Sequence, residues 1–365
     1  MKDLDKLAEK DDVRLQFETK RALLEDMPTP NADEAFQEFL EKNGLKERKS
    51  RRTLWASIIS MAAAASIALL LILSPWKSFT SSSSIKESKA NQELARLGNV
   101  IYQRGEEERY ISISMGDESI DLRNKDNAKN VGVFINKNHE IQVLDMKKAF
   151  AQEKDLTINV PSGQTAKVSL PDGTKVQLNA CSSLTFPHHF NENGTREVAL
   201  NGEAYFEVNH DESHPFLIHA HEFKVKVLGT KFNVRSYPNE THRVALSEGI
   251  VRVEQGSQQI YLKNPADAAV IQHNKMTQEI ADMDQALSWL NGEFYFDGQD
   301  LREIMAEIGR WYHYNVVFAY SNRNDEPLHF SADRTAPIKE IIQQLQMIGN
   351  AKIELREKEQ VLLVK

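Results

Sequence analysis

One cysteine, Cys181, stands in 365 residues. No disulfide can form within the chain, and neither a C-x-x-C redox pair nor a cysteine-rich zinc cage is available. Catalytic signatures are missing as well: the sequence contains no G-x-S-x-G, no H-E-x-x-H and no phosphate-binding Walker loop. Glycine (16) and proline (11) are sparse, while 41% of residues are hydrophobic and 27% charged, the composition of a globular chain. Basic residues are outnumbered, 45 against 53 acidic, for a net charge of -8, so the whole chain is not a basic nucleic-acid binder. Length alone suggests two or three domains.

One stretch without charge interrupts this composition, Leu54 to Trp76, LWASIISMAAAASIALLLILSPW. As a helix it spans about 33 Å, enough for a hydrocarbon core. Trp55 and Trp76 stand at its ends, where amphipathic rings favour the interface. Lys46, Arg48, Lys49, Arg51 and Arg52 precede it, and the positive-inside rule keeps them in the cytoplasm. The spacing therefore predicts a single transmembrane helix over 54–76, an N-terminal segment inside and the bulk of the chain exported. Ser50-Arg51-Arg52-Thr53-Leu54 also resembles a twin-arginine export signal, although a plain topology signal explains the same arginines. Within the span, Ala62, Ala63, Ala64, Ala65 and Ser66 form a small-residue patch. Such a patch suits close helix approach or unwinding by an intramembrane protease, and equally a plain anchor.

Residues 1–52 divide at Pro28 and Pro30 into two short helical patterns, acidic up to Leu45. Ala35, Phe36, Phe39 and Leu40 keep i, i+3, i+4 spacing, with Asn31 or Asp33 as N-cap. An acidic amphipathic pair of this kind fits a partner's groove, and a solvated stalk reads the same way.

Beyond the linker Ser81–Ser84, residues 87–104 read as a polar helix, completing a linker-and-helix region at 77–109. The hydrophobic period then becomes two. Tyr110 to Met115 and Gly116 to Leu122 form an alternating pair around a turn, and a similar string returns at Val168–Asn179, where Asp172-Gly173 is a strong hairpin signal. Regular short strands continue to Leu262. The expectation is a strand-rich region at 110–155 and an all-β domain at 156–262, a sandwich or short solenoid, then a connector at 263–291. From residue 292 to 365 the pattern is β-α-β twice, a small α+β domain with helical stripes at Leu301–Tyr312 and Ile338–Ile348.

Candidate chemistry is thin. Cys181 reads as a small buried hydrophobe. His219 and His221 share a strand spacing that suits a metal, but no acidic or cysteine partner stands at matched spacing. No metal site, cofactor or catalytic residue is therefore expected. Phe186, Tyr205, Phe206, Phe216 and Phe232 fit either a core or the lining of a sugar site.

Several strings together carry a family resemblance. Leu170-Pro171-Asp172-Gly173-Thr174-Lys175-Val176-Gln177-Leu178-Asn179-Ala180 comes first, then Arg196-x-Val198-x-Leu200-x-Gly202-Glu203-Ala204-Tyr205-Phe206-Glu207-Val208. Val227-Leu228-Gly229-Thr230-x-Phe232-Asn233-Val234 and Leu246-x-Glu248-Gly249-x-Val251 follow in order. They resemble the FecR-type transmembrane anti-sigma regulators. Trp289-x-x-Gly292-x-Phe294-x-Phe296 and Arg310-Trp311-Tyr312 look like that family's C-terminal domain, similar to the short signalling domains of secretins and TonB-dependent transducers. Leu262–Asp267 lacks the usual Pro-Gly turn, so its loop is expected to differ, and the cytoplasmic segment is shorter than in many relatives.

The resemblance implies an inner-membrane relay. The N-terminal signalling domain of a TonB-dependent outer-membrane transporter would contact the exported part, in some members with periplasmic and intramembrane proteases acting afterwards. The cytoplasmic segment would control an extracytoplasmic-function (ECF) sigma factor. Phe36, Phe39 and Leu40 are the expected sigma contact. Phe294, Phe296, Val316 and Phe318, on the strands of the C-terminal domain, are the expected transporter contact, because open sheet edges accept another domain's strand. The rival readings are a membrane-tethered glycan-binding module and a periplasmic hydrolase.

Overall fold

The longest strand, β10 (Arg196–Glu207), belongs to two sheets at once and organises the β-rich part. Its first half pairs in parallel with β11 (Phe216–Ala220) and antiparallel with β9 (Ser182–Phe186). Its second half pairs with β13 (Lys231–Ser236) and β8 (Lys175–Leu178). The changeover falls at Gly202, at φ +104°, where a Cβ would lie 2.4 Å from Ser182 Oγ and 2.7 Å from Ser182 Cα. Only a residue without a side chain fits both that conformation and that approach.

The computed structural model describes residues 89–105, 110–116, 118–123, 133–135, 141–143, 155–186, 194–320, 327–349 and 352–365. Leu54–Trp76 with its Ala62–Ser66 patch, and the segment carrying Phe36, Phe39 and Leu40, lie outside them. Among the described residues no helix is long and apolar enough to cross a membrane.

The remaining elements, in chain order, are α1 (Lys89–Leu97), β1 (Asn99–Tyr102), β2 (Ser112–Met115), β3 (Glu118–Asp121), β4 (Val133–Ile135), β5 (Ile141–Val143), β6 (Leu156–Val160) and β7 (Ala166–Ser169). After β11 come β12 (Phe223–Val227), β14 (His242–Glu248), β15 (Val251–Gln255), β16 (Gln258–Leu262), β17 (Asp267–Gln272) and β18 (Lys275–Ile280). The first sheet runs β3-β2-β6-β9-β10-β11-β12-β15-β16. The second runs β4-β5-β7-β8-β10-β13-β14-β17-β18. Each has two open ends in these pairings, so the ladder is two sheets sharing a strand and not a closed barrel. Alternating side chains of both sheets meet in one core, where Phe206 stacks on Phe232 at 5.4 Å and tilts against Phe216 at 6.2 Å.

Two expectations change here. The strands of 110–155 pair directly with those that follow, β2 with β6 and β5 with β7. Residues 263–291 are more than a connector, because β17 and β18 extend the second sheet. The loop without Pro-Gly is closed by Asp267, whose Oδ2 accepts from the amides of Lys263 and Asn264, both at 2.9 Å.

After the short α2 (Met283–Leu287) the α+β part comprises β19 (Glu293–Gln299), α3 (Leu301–Tyr312), β20 (Asn315–Phe318), β21 (Leu328–Asp333), α4 (Ile338–Ile348), β22 (Ile353–Arg356) and β23 (Val361–Val364). The order is the one read from the sequence, β-α-β twice with the last unit closed by two strands, at 351–355 and 360–364 as expected and at 353–356 and 361–364 as found. The strands divide into a four-stranded sheet, β1-β20-β23-β22, and a two-stranded one, β19-β21. The polar helix expected over 87–104 therefore stops at Leu97. The β-forming run Val100-Ile101-Tyr102 continues as a strand, β1, on the far domain's sheet.

Candidate functional site at the domain junction

The β-rich and α+β parts meet through charges. From β10 comes Glu203, from β13 its register partner Arg235, and from the turn after β13 comes Glu240. From the other side come Glu307 and Arg310 of α3, and Arg334 just after β21. Arg235 is the hub: Nη1 donates to Glu203 at 3.0 Å and to Glu307 at 2.9 Å, and Nη2 donates to Glu240 at 3.0 Å. Arg334 pairs with Glu307, and Arg310 with Glu240. Asn179 Nδ2 and Asn233 Nδ2 donate to the same Glu203 carboxylate at 2.8 and 2.9 Å, and Arg334 Nη1 donates to Asn179 Oδ1 at 3.0 Å.

Arg310 and Arg334 are also held by rings. Arg310 rests 3.6 Å from the Tyr237 ring, and its Nη1 has no hydrogen-bond partner, so the ring face takes that side of the cation. Arg334 lies between Phe294 at 4.7 Å and Trp311 at 4.9 Å. Three arginines and three glutamates thus neutralise one another where little water reaches them. Such a network adds little net stability over an apolar contact, but breaking it is expensive and its geometry fixes how α3 sits on β10 and β13.

Burial pushes the Glu307 carboxyl up, but Arg235, Arg334 and Arg310 outweigh it and hold the group well below the usual carboxylate value of 4.5. A depressed folded pKa stabilises above the unfolded value and is lost as pH falls through the folded one. The thermal midpoint of the wild-type chain should therefore drop between about pH 4.5 and pH 2 more steeply than that of Glu307→Gln. A scan of midpoint against pH on both chains checks this, and parallel curves would rule the depressed carboxyl out.

A second buried pair lies within the β-rich part. Asp172, in the β7–β8 turn, accepts from Arg196 Nη1 at 2.8 Å and from Thr174 Oγ1 at 2.7 Å. Arg196 further donates to the carbonyls of His214, Asn209 and Leu228 at 2.7, 2.8 and 3.3 Å. One guanidinium thereby closes three loops at one end of the sheets.

The residues singled out in the sequence fall as follows. Phe294, Phe296, Val316 and Phe318 are buried in the α+β core. Alternation on β19 and β20 turns them under α3 and α4, and one edge of β20 is occupied by β1. Phe186, Phe206, Phe216 and Phe232 are core residues and only Tyr205 is half exposed, so no aromatic sugar platform stands on these strands. Cys181 is not a core residue: it sits at φ +55° in the β8–β9 turn, its Sγ 3.7 Å from the Tyr102 hydroxyl and from the Arg310 carbonyl. His219 pairs with Glu197 at 3.0 Å, and among the described residues no group of histidine, cysteine, aspartate and glutamate is placed to hold a metal.

The junction itself went unread. Glu303, Glu307 and Arg310 recur at i, i+4, i+7 beside the apolar stripe of α3, a spacing that looks like a solvated face. Arg235 follows Asn233 by two residues, on the same face as the motif asparagine. That shared parity was the available signal, but nothing in the sequence says what covers the face.

Residues 156–252 match the family model described as FecR protein, and residues 293–363 match FecR, C-terminal. No curated protein matches the chain. Two crystal structures of a candidate anti-sigma factor from Parabacteroides distasonis ATCC 8503 are similar, each with a TM-score of 0.53 and 25% identity over 57% of this chain and 98% of that one. The first family segment supplies Asn179, Glu203, Asn233, Arg235 and Glu240, and the second supplies Glu307, Arg310 and Arg334. Residues 156–252 and 293–363 are thus FecR-type segments, present in order and interlocked through these side chains.

Proposed function

We propose that this protein is an anti-sigma factor that passes a signal from a TonB-dependent outer-membrane transporter, across one membrane helix at 54–76, to an ECF-type sigma factor. The observation that carries the reading is the pair of FecR segments, interlocked by a charge network and similar to a candidate anti-sigma factor of known structure. The strands and helices serve binding: the polar side chains that converge in the described residues are spent on each other.

In this reading the cytoplasmic segment 1–52 holds the sigma factor through Phe36, Phe39 and Leu40. The α+β domain receives the transporter's signalling domain. Phe294, Phe296, Val316 and Phe318 support that surface from beneath. The open edge is β22, which pairs only with β23 among the described residues, beside the exposed Met347 and Ile348 of α4. The glycan-binding alternative loses its support with the burial of the phenylalanines.

The test is capture of the co-encoded sigma factor by residues 1–52. Binding is expected, weakened at least tenfold by Phe36→Ala with Phe39→Ala. Absence of binding, together with unchanged transcription after deletion of the gene, would sink the proposal.

A further inference from the structure

The segment that precedes the β-rich part completes the sheet of the distant α+β domain. β1 pairs antiparallel with β20, Asn99 facing Phe318, Val100 facing Val317 and Tyr102 facing Val316. α1 covers the sheet face opposite α3 and α4, where Leu94 packs with Val317, Val361 and Leu363. Gly98 lets the two elements dock: a Cβ there would lie 2.1 Å from the Phe318 carbonyl oxygen. Tyr320 anchors the helix by donating to the Ala95 carbonyl at 2.9 Å.

This docking is short and partly exposed. β1 has four residues, its register slips between Val100 and Tyr102, and Asn99 and Val100 are exposed. Leu94 is the one buried residue of α1 among those whose side chains are described. Elements with few buried contacts open locally before the rest of a domain. The far end of β1 reaches the charge junction, where the Arg310 guanidinium stands 5.4 Å from the Tyr102 ring and Arg104 N donates to Asn315 Oδ1 at 3.1 Å.

We propose that α1 and β1 form a releasable strap. Docked, they close the edge of β20 and hold the chain leading back to Leu54–Trp76 against the α+β domain. Undocked, they free that edge for an incoming strand and let go of the chain on the membrane side. The strap's output rests on the anti-sigma reading above, whereas its mechanics rest on the β1–β20 pairing alone.

The test uses the full-length chain in membranes. In a Cys181→Ser background, Val317→Cys lies beneath Leu94 and reacts with a bulky maleimide only when the strap opens. Leu94→Ala, or the stronger Gly98→Val, should speed that labelling at least tenfold; an unchanged rate for both overturns the proposal. Facing residues of an antiparallel pair stand at disulfide distance, so Val100→Cys with Val317→Cys clamps the strap. In cells carrying a sigma-dependent reporter, Leu94→Ala should move the resting signal at least fivefold and the clamp should return it. A signal that stays moved in the clamped chain, or that never moves although labelling speeds up, also overturns the proposal. Failure of residues 1–52 to capture a sigma factor would remove the anti-sigma reading and leave the labelling result to decide the strap.

Discussion

Arg235→Ala is expected to cost about 3–5 kcal/mol, the penalty for leaving buried charge without its partner. The substitution leaves Glu203 with asparagine donors and no cation, and takes one of two arginine partners from Glu240 and from Glu307, at a side chain only 14% exposed. The loss should also have a recognisable form. Urea unfolding of residues 86–365, one compact unit, should split into two transitions, because the change removes the hub of the link between the β-rich and α+β parts. Arg235→Met combined with Glu307→Gln should recover part of the loss, since the pair then leaves less charge unmatched. A loss under about 1 kcal/mol would mean that the junction is solvated and that its ion pairs behave as surface pairs do.

Arg196→Ala should cost a similar amount, about 3–5 kcal/mol, with a different distribution. Its guanidinium is 2% exposed, pairs with Asp172 and caps the carbonyls of His214, Asn209 and Leu228. Alanine leaves the buried Asp172 carboxylate without its countercharge and removes one donor from each of three carbonyls. Lysine rescues poorly, because a single ammonium cannot reproduce the fork that serves separate acceptors. The damage should stay within the β-rich part: residues 293–363 should keep their amide protection while the loops at 209–214 and at 228 lose theirs. Hydrogen exchange resolved by segment measures this, and equal loss in both halves would contradict it.

Both arginines illustrate how far the sequence could be read. The strands from Leu156 onward were legible because alternation on a half-buried sheet is a local property, and β6, β7, β11 and β12 bury alternate residues as read. Helices α3 and α4 were legible for the same reason at period 3.6. Arg196 stood in a recognisable motif, yet its role depends on carbonyls from loops 13 to 32 residues away. Glu307 and Arg310 lie on a helix face that would be wet in an isolated domain. They become a buried site only because Arg235, Glu240 and Glu203 arrive from a second sheet.

The sequence by itself determined the local periods, the turn glycines and the motif strings that carry the FecR resemblance. It did so because each rests on residues within one element or on motif strings in fixed order. Tertiary structure alone decided that β10 joins two sheets, that six charged side chains close the junction, and that β1 pairs with a strand more than two hundred residues onward, Val316 to Phe318. These are long-range pairings, set by which complementary surfaces meet once the local elements exist, and no periodicity along the chain encodes them.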